Sequence, residues 1–284
     1  MATAKEIRGQ IKAIQNTGKI TKAMELVAAS KMRKAQERVL AGRAYAEGIR
    51  RVIANLMQAH PEFGHPIITG RDEVRKIGVI VVTTDKGLCG GLNTNVLKKA
   101  LGLVKESKVA VEAYTIGRRA GMFMRKVVDD LQAAGENIPD AAEVKDVMGV
   151  VNVAVERFVQ GEVDEVHLVY SEYINTMTQT PQVMRLMPCP EPAKEVRSYW
   201  DYLYEPDSKS ALDGLLRRYV ESLVYHAVLE NKACEHSARM VAMKSASDNA
   251  KSIVKDLKIT YNKARQASIT QEIAEISAGA AASA

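Results

Sequence analysis

Over the first 60 residues, apolar positions recur in alternating steps of four and three. The register runs through Ile7, Ile11, Ile14, Gly18, Thr21, Glu25, Ala28, Met32, Ala35, Val39, Gly42, Ala46, Ile49, Ile53 and Leu56, and only Thr21 and Glu25 in it are polar. A hydrophobic repeat near 3.5 residues, kept this long, is the seam of a coiled coil. A second stripe, Ile20, Met24 and Val27, flanks the weak stretch 18–25 and predicts that the seam drifts there into an irregular supercoil. If helical throughout, roughly 55 residues at about 1.5 Å each span on the order of 80 Å. The last segment follows E-P-D-S-K-S, where Asp207 or Ser208 is suited to cap a helix. Its stripe is Leu229, Ala233, His236, Met240, Met243, Ser247, Ala250, Val254, Leu257, Tyr261, Ala264 and Ser268, continued by Ile269, Ile273 and Ile276. Small residues and methionines permit close, adaptable packing. Neither helix buries its stripe alone, so the simplest solution pairs the two antiparallel and leaves the middle of the chain to one side.

The middle changes period. Residues 77–83 form a β-branched run ending in T-T-D-K-G-L-C-G-G-L-N, and 94–104 then reads as helix. Residues 109–116 read as strand, 117–128 and 142–159 as helices, and 163–171 as strand. Alternating strands and helices predict a small α/β domain with a largely parallel, Rossmann-like sheet. The Pro-rich stretch 181–192 is expected to carry the chain back toward the last helix. The expected division is a coiled-coil helix over 1–60, an α/β domain with its return segment over 61–206, and a second coiled-coil helix over 207–284.

Proline supports this division. All eight prolines lie between Pro61 and Pro206, which leaves both terminal segments free of helix breakers. Charge divides in the same way. Residues 1–60 carry 12 Lys and Arg against 4 Glu, so the excess behind the formal net charge of +6 sits on the first helix. Such a helix suits nucleic acid, anionic lipid or an acidic protein surface. Nucleic acid is disfavoured because the basic residues surround an apolar seam with no interleaved aromatics and no recognition motif. Aromatics make up only 5%, which argues against a bulky core. Three widely spaced cysteines (Cys89, Cys189, Cys234) suggest neither a disulfide framework nor a zinc site and fit a reducing compartment. No apolar run approaches the roughly 20 residues of a membrane span, and the N-terminus does not resemble a signal peptide.

Candidate chemistry is sparse. The glycine turn at Gly87, Gly90 and Gly91 follows a strand, where backbone N–H groups are able to face phosphate. It matches neither G-x-x-x-x-G-K-[ST] nor G-x-G-x-x-G, so a role in backbone geometry is the better reading. Asp85, Lys86, Cys89 and Asn93 crowd this turn without forming a nucleophile, base and orienter. His226 and Glu230 stand four apart on a helix, but no third metal ligand accompanies them. No catalytic residue, cofactor or metal is expected. A nucleotide-binding enzyme and a free-standing coiled-coil scaffold or nucleic-acid binder remain the alternatives.

Five blocks carry a resemblance. They are A-x-E-I-R-x-x-I from Ala4, N-T-x-K-I-T-K-A-M-E-L-V-A-A-S-K-M from Asn16, D-K-G-L-C-G-G-L-N from Asp85, Y-I-N-T-M from Tyr173, and A-R-Q-A-S-I-T-Q-E-I-A-E-I-S-A-G-A-A from Ala264. In this order, from first residues to last, they resemble the gamma subunit of the bacterial F-type ATP synthase. The cysteine-bearing regulatory insert of the chloroplast relatives is absent. The resemblance implies a rotor in which an antiparallel coiled coil enters a ring of alternating alpha and beta subunits. The α/β domain then lies beside epsilon and the membrane c ring, with delta a further member of the complex. It also implies a peripheral place at the cytoplasmic face of the inner membrane and coupling of proton flow to ATP synthesis or hydrolysis. By motif match, Met24 packs near a lever loop of beta, and Arg239, Arg265, Gln266 and Thr270 contact the catalytic subunits. Tyr202 and Glu205 match the foot that meets the c ring.

Overall fold

The computed structural model describes residues 4–59, 65–71, 73–189 and 208–282. Helix α1 is Ala4–Ala59 and helix α6 is Ser208–Ala282. Between them lie α2 (Pro66–Thr69), β1 (Lys76–Val82), α3 (Leu92–Glu106), β2 (Ala110–Ile116), α4 (Arg118–Met124), β3 (Leu131–Gly135), α5 (Lys145–Gln160), β4 (Glu165–Tyr173) and β5 (Gln179–Met187). The chain divides into two compact units, Met1–Ala28 with Met240–Ala284, and Ala29–Arg239.

The first unit is a pair of antiparallel helices. The register read from the sequence is the buried one: Ile7, Met243, Ser247 and Ala250 are buried, and Ile11, Ile14, Gly18, Thr21 and Glu25 are half-buried. The expected drift at 18–25 does not occur, since Ile20 and Val27 remain 60% and 55% exposed. The weak residues hold the seam for local reasons. A Cβ on Gly18 would lie 3.3 Å from that of Ala250, so glycine permits close approach of the helices. The Thr21 hydroxyl donates to the Gly18 carbonyl at 3.1 Å, and Lys22 Nζ lies 2.9 Å from Glu25 Oε1. The Gly18–Ala250 contact places Ala4 opposite residue 264. Beyond it, side chains 265–278 are all exposed, so Ser268, Ile269, Ile273 and Ile276 do not continue the seam as expected. No described residue of α1 lies opposite them.

The second unit is built on a sheet of order β3-β2-β1-β4-β5, parallel except for the antiparallel β4–β5 pair. Strand β1 shows why it has two buried faces. Ile77, Val79 and Val81 point to a core with Val96 and Ala100 of α3 and Ala120 and Met124 of α4. Ile80 and Val82 point to a second core, with Val147, Val151 and Phe158 of α5 and Leu216, Val220 and Val224 of α6. Period-2 alternation with both faces apolar is what a sheet covered by helices on both sides requires. Helix α6 is thus one of the helices that cover the sheet. The cores are largely aliphatic, in keeping with the low aromatic content, with Tyr114 and Phe158 the largest fully buried side chains. Farther along, Ala35 and Val39 pack against Leu229 and Ala233, and a Cβ on Gly42 would lie 3.3 Å from Leu229.

Two strands depart from expectation. The segment from Pro181 to Met187 is not a return segment but most of β5. It lies at the sheet edge, with Pro181 opposite Ser171, where a missing N–H is tolerated. Strand β3, L-Q-A-A-G, has little intrinsic β preference and forms by pairing with β2. Helix α4 also stops at Met124, short of the expected 128.

Candidate functional site

The glycine turn sits at the carboxyl end of β1, beside the point where strand order reverses between β1 and β4. In open α/β sheets this is where ligands bind. Here the place is taken by α6. Cys89 and Leu92 are buried against Cys234 and Ala238, and the Cys234 thiol lies 3.5 Å from the Ser171 carbonyl. Arg239 donates to the Gly87 carbonyl at 3.1 Å and pairs with Glu235 at 2.7 Å. The turn therefore offers a carbonyl to a cation of its own chain.

Side chains crowded in the sequence serve the turn itself. Asn93 Oδ1 accepts from the Thr84 N–H at 3.1 Å, and its amide donates to Thr84 Oγ1 at 2.8 Å and to Cys89 Sγ at 3.3 Å. Asp85 Oδ1 accepts the N–H groups of Arg118 and Asn137, both at 3.0 Å, and so ties together the loops after β1, β2 and β3. Gly90 has φ +58 and Gly117 φ +99, and a Cβ on Gly117 would lie 2.2 Å from the Thr83 carbonyl oxygen. Burial pushes the Cys89 thiol up despite its hydrogen bonds from Thr84 and Asn93 and the charge of Arg239. Burial likewise raises Cys189 to about 12 and shifts Cys234 in the same direction. All three thiols stay protonated and unreactive at neutral pH. His226 Nδ1 lies 3.6 Å from Glu230 Oε1, and among the described residues no three His, Cys, Asp or Glu are grouped to hold a metal.

The positions expected to contact partners belong to both units, Met24, Arg265, Gln266 and Thr270 to the first and Arg239 to the second. Met24 is half-buried at the margin of the seam, beside the exposed Ile20 and Val27. Arg239 is 12% exposed and engaged within its own chain. Arg265, Gln266 and Thr270 lie on the exposed end of α6, where the Thr270 hydroxyl donates to the Gln266 carbonyl at 2.9 Å. Tyr202 and Glu205 lie outside the described residues.

Sequence reasoning missed two polar clusters. Glu112, fully buried at the sheet centre, accepts Arg157 Nε at 3.0 Å and Nη2 at 2.9 Å, pairs with Lys76 at 2.8 Å and is bonded by the Tyr114 hydroxyl. Burial raises its carboxyl, but Arg157 and Lys76 outweigh that and leave it below the ordinary value. The second cluster surrounds Asp140, which Lys31, Arg38 and His236 contact. Its partners lie 102 and 109 residues away in α1, so no local spacing marks it.

A five-stranded, mostly parallel sheet whose ligand crevice is occupied by α6 of its own chain, together with long helices at both ends of the chain, defines an α/β protein with terminal helices. Comparison with known proteins gives the particular family. Residues 3–282 match the family described as ATP synthase. The ATP synthase gamma chain of Acidithiobacillus ferrooxidans is 53% identical over 288 residues, covering 99% of this chain and all of that one. The gamma chains of Nitrosococcus oceani and Stenotrophomonas maltophilia are 50% and 48% identical at the same coverage. A chain in the Euglena gracilis mitochondrial ATP synthase rotor, rotational state 1, shares the fold at TM-score 0.68 and 19% identity, covering 94% of this chain and 98% of that one. A chain of the Tetrahymena thermophila mitochondrial central stalk and c ring does so at TM-score 0.62 and 24% identity, with 80% and 99% covered. The chain belongs to the gamma-chain family of the F-type ATP synthases.

Proposed function

We propose that the chain is the central rotor shaft of a proton-translocating ATP synthase and carries no catalytic site of its own. Its partners in this reading are alpha, beta, epsilon and delta, with the membrane c ring at the foot. Its place is peripheral, at the cytoplasmic face of the inner membrane; among the described residues no helix is long and apolar enough to cross a membrane.

The observation that carries the reading is the end of α6. Ile269, Ile273 and Ile276 share one face and are 47%, 58% and 72% exposed. Burying such a side chain is worth roughly 1.5–3 kcal/mol, and no described residue of the chain covers them. A surrounding ring of subunits supplies that cover, with Arg265, Gln266 and Thr270 as its polar contacts and Met24 facing a lever loop lower down. Arg239, bonded to Gly87 and Glu235 within its own chain, is in this reading a further contact to the catalytic subunits.

Two helices have no three-fold symmetry, so inside a three-fold ring they touch each catalytic subunit differently. A site shifts only by differential contact energy between its states, and each third of a turn permutes those contacts. Co-expression with alpha, beta and epsilon tests the proposal. It expects an ATP-hydrolysing complex containing this chain, and no hydrolysis by the chain alone. A chain that remains a free homodimer in the presence of those subunits refutes it.

A further inference from the structure

The loop between β3 and α5 ties the sheet to both long helices at once. On the sheet side, the Asn137 N–H donates to Asp85 Oδ1 at 3.0 Å, and Asn137 adopts φ 60, a conformation that side chains other than glycine rarely take. On the helix side, Asp140 Oδ2 accepts Lys31 Nζ at 2.7 Å, and the Asp140 carbonyl accepts Arg38 Nη1 at 2.7 Å; both donors are on α1. From α6, His236 Nε2 lies 3.3 Å from Asp140 Oδ1, Lys232 Nζ donates to the Ile138 carbonyl at 2.8 Å, and the Tyr225 hydroxyl donates to the Ala142 carbonyl at 3.0 Å.

Much of the packing of α6 on the sheet is apolar, and its other directional bonds there, from Arg239 to the Gly87 carbonyl and from Ser237 to the Thr176 carbonyl, do not involve α1. Apolar contact resists separation but is non-directional, and it opposes sliding about a helix axis only weakly. Hydrogen bonds and ion pairs to both helices fix an azimuth. We infer that this loop, through Asp140, is the joint by which the α/β domain turns the two helices, with Asp140 as a positioning residue for torque. The inference rests on the shaft reading. It deepens that reading by naming where torque passes from foot to shaft.

The test compares Asp140→Ala with the reciprocal Asp140→Lys plus Lys31→Asp in the whole membrane-bound complex. ATP-driven proton pumping per ATP hydrolysed is expected to fall several-fold in Asp140→Ala. Hydrolysis by the detached catalytic head carrying the same change should stay at the wild-type rate, because no load crosses the joint there. The reciprocal pair should restore pumping, as coupled neighbours do in a double-mutant cycle. If Asp140→Ala does not assemble, Lys31→Met at a half-exposed position carries the same comparison. An equal fall in pumping and in hydrolysis by the head overturns the inference, since the loop then only stabilises the fold. Unchanged pumping overturns it too and leaves the shaft reading standing. A wild-type complex that hydrolyses ATP without pumping overturns the shaft reading itself.

Discussion

Two glycines of the same loop cluster should differ sharply when changed to alanine. At Gly90 the backbone lies at φ +58, and an added Cβ meets nothing within 4 Å. The cost is the left-handed penalty, about 1–2 kcal/mol, reduced by roughly 0.4–1 kcal/mol because alanine restricts the unfolded chain. Gly90→Ala should therefore lower stability by about 1 kcal/mol. At Gly117, φ is 99 and ψ 138, and the new Cβ would lie 2.2 Å from the Thr83 carbonyl oxygen and 2.9 Å from its Oγ1. The obstructing atom is backbone in β1's continuation, held by the Thr83 N–H bond to the Ile116 carbonyl at 2.8 Å. It has no rotamer to yield. Strained torsion of about 1–3 kcal/mol and overpacking of about 1–3 kcal/mol add up to roughly 2–6 kcal/mol, a large part of a typical domain stability of about 5–15 kcal/mol. Urea unfolding of the purified variants reads both values. Calorimetric titration with Mg-ATP should show no saturable binding for wild type or either variant. If Gly117→Ala costs no more than Gly90→Ala, the steric reasoning is wrong. A one-to-one isotherm in the wild type that Gly90→Ala abolishes would make the turn a nucleotide site and refute the reading of its geometry.

Three further outcomes are expected. Arg265→Ala with Gln266→Ala should reduce ATP turnover or assembly of the complex while the chain's circular dichroism is unchanged, charge-assisted hydrogen bonds being worth about 1.5–3 kcal/mol each; full turnover in a full complex would contradict it. Met24→Lys adds a charge beside the exposed Ile20 and Val27, and proton pumping per ATP should fall more than hydrolysis does; equal losses would mean damage to folding or assembly instead. Burial holds the His236 imidazole below its ordinary 6.5, so the unfolded chain takes up a proton that the fold refuses. Its contribution is thus present above that value and lost as pH falls through it, and His236→Gln should flatten the decline in urea midpoint between pH about 7 and about 5. The Asp140 carboxyl is raised by burial but lowered further by Lys31, His236 and Lys232, so its share is lost only below the ordinary 3.8.

How much of this was readable in the sequence depends on the range of the interaction. The seam of α1 was legible from Ile7 to Ala28 because heptad spacing is local. The error at 18–25 came from ranking side chains by hydrophobicity alone. Gly18 holds the seam through what it lacks, and Ile20 and Val27 are apolar without being internal. Strands β1, β2 and β4 announced themselves by β-branched runs, whereas β3 forms only because β2 is there to pair with it, and Pro181 hid an edge strand. The glycine turn departs from the phosphate-loop motifs, but nothing local indicated that Arg239 would bond to Gly87. The joint around Asp140 was invisible for the same reason, since each of its partners comes from a distant helix.

That contact between Arg239 and Gly87 also shows what occupies the place where a sheet built like a dinucleotide-binding domain binds its ligand. Loops at the carboxyl ends of parallel strands present unsatisfied backbone groups and need something to complete them. In a nucleotide enzyme the cofactor does so and leaves when exchanged. Here α6 supplies Cys234, Arg239 and the buried flank of Ala238, and α1 and α6 together grip the loop after β3. The filling is covalently part of the chain and therefore permanent. In the proposed shaft, a removable ligand would make the attachment of helix to sheet depend on occupancy, whereas a resident helix holds it through every turn. On that proposal, the crevice that elsewhere confers chemistry serves as the socket of a shaft.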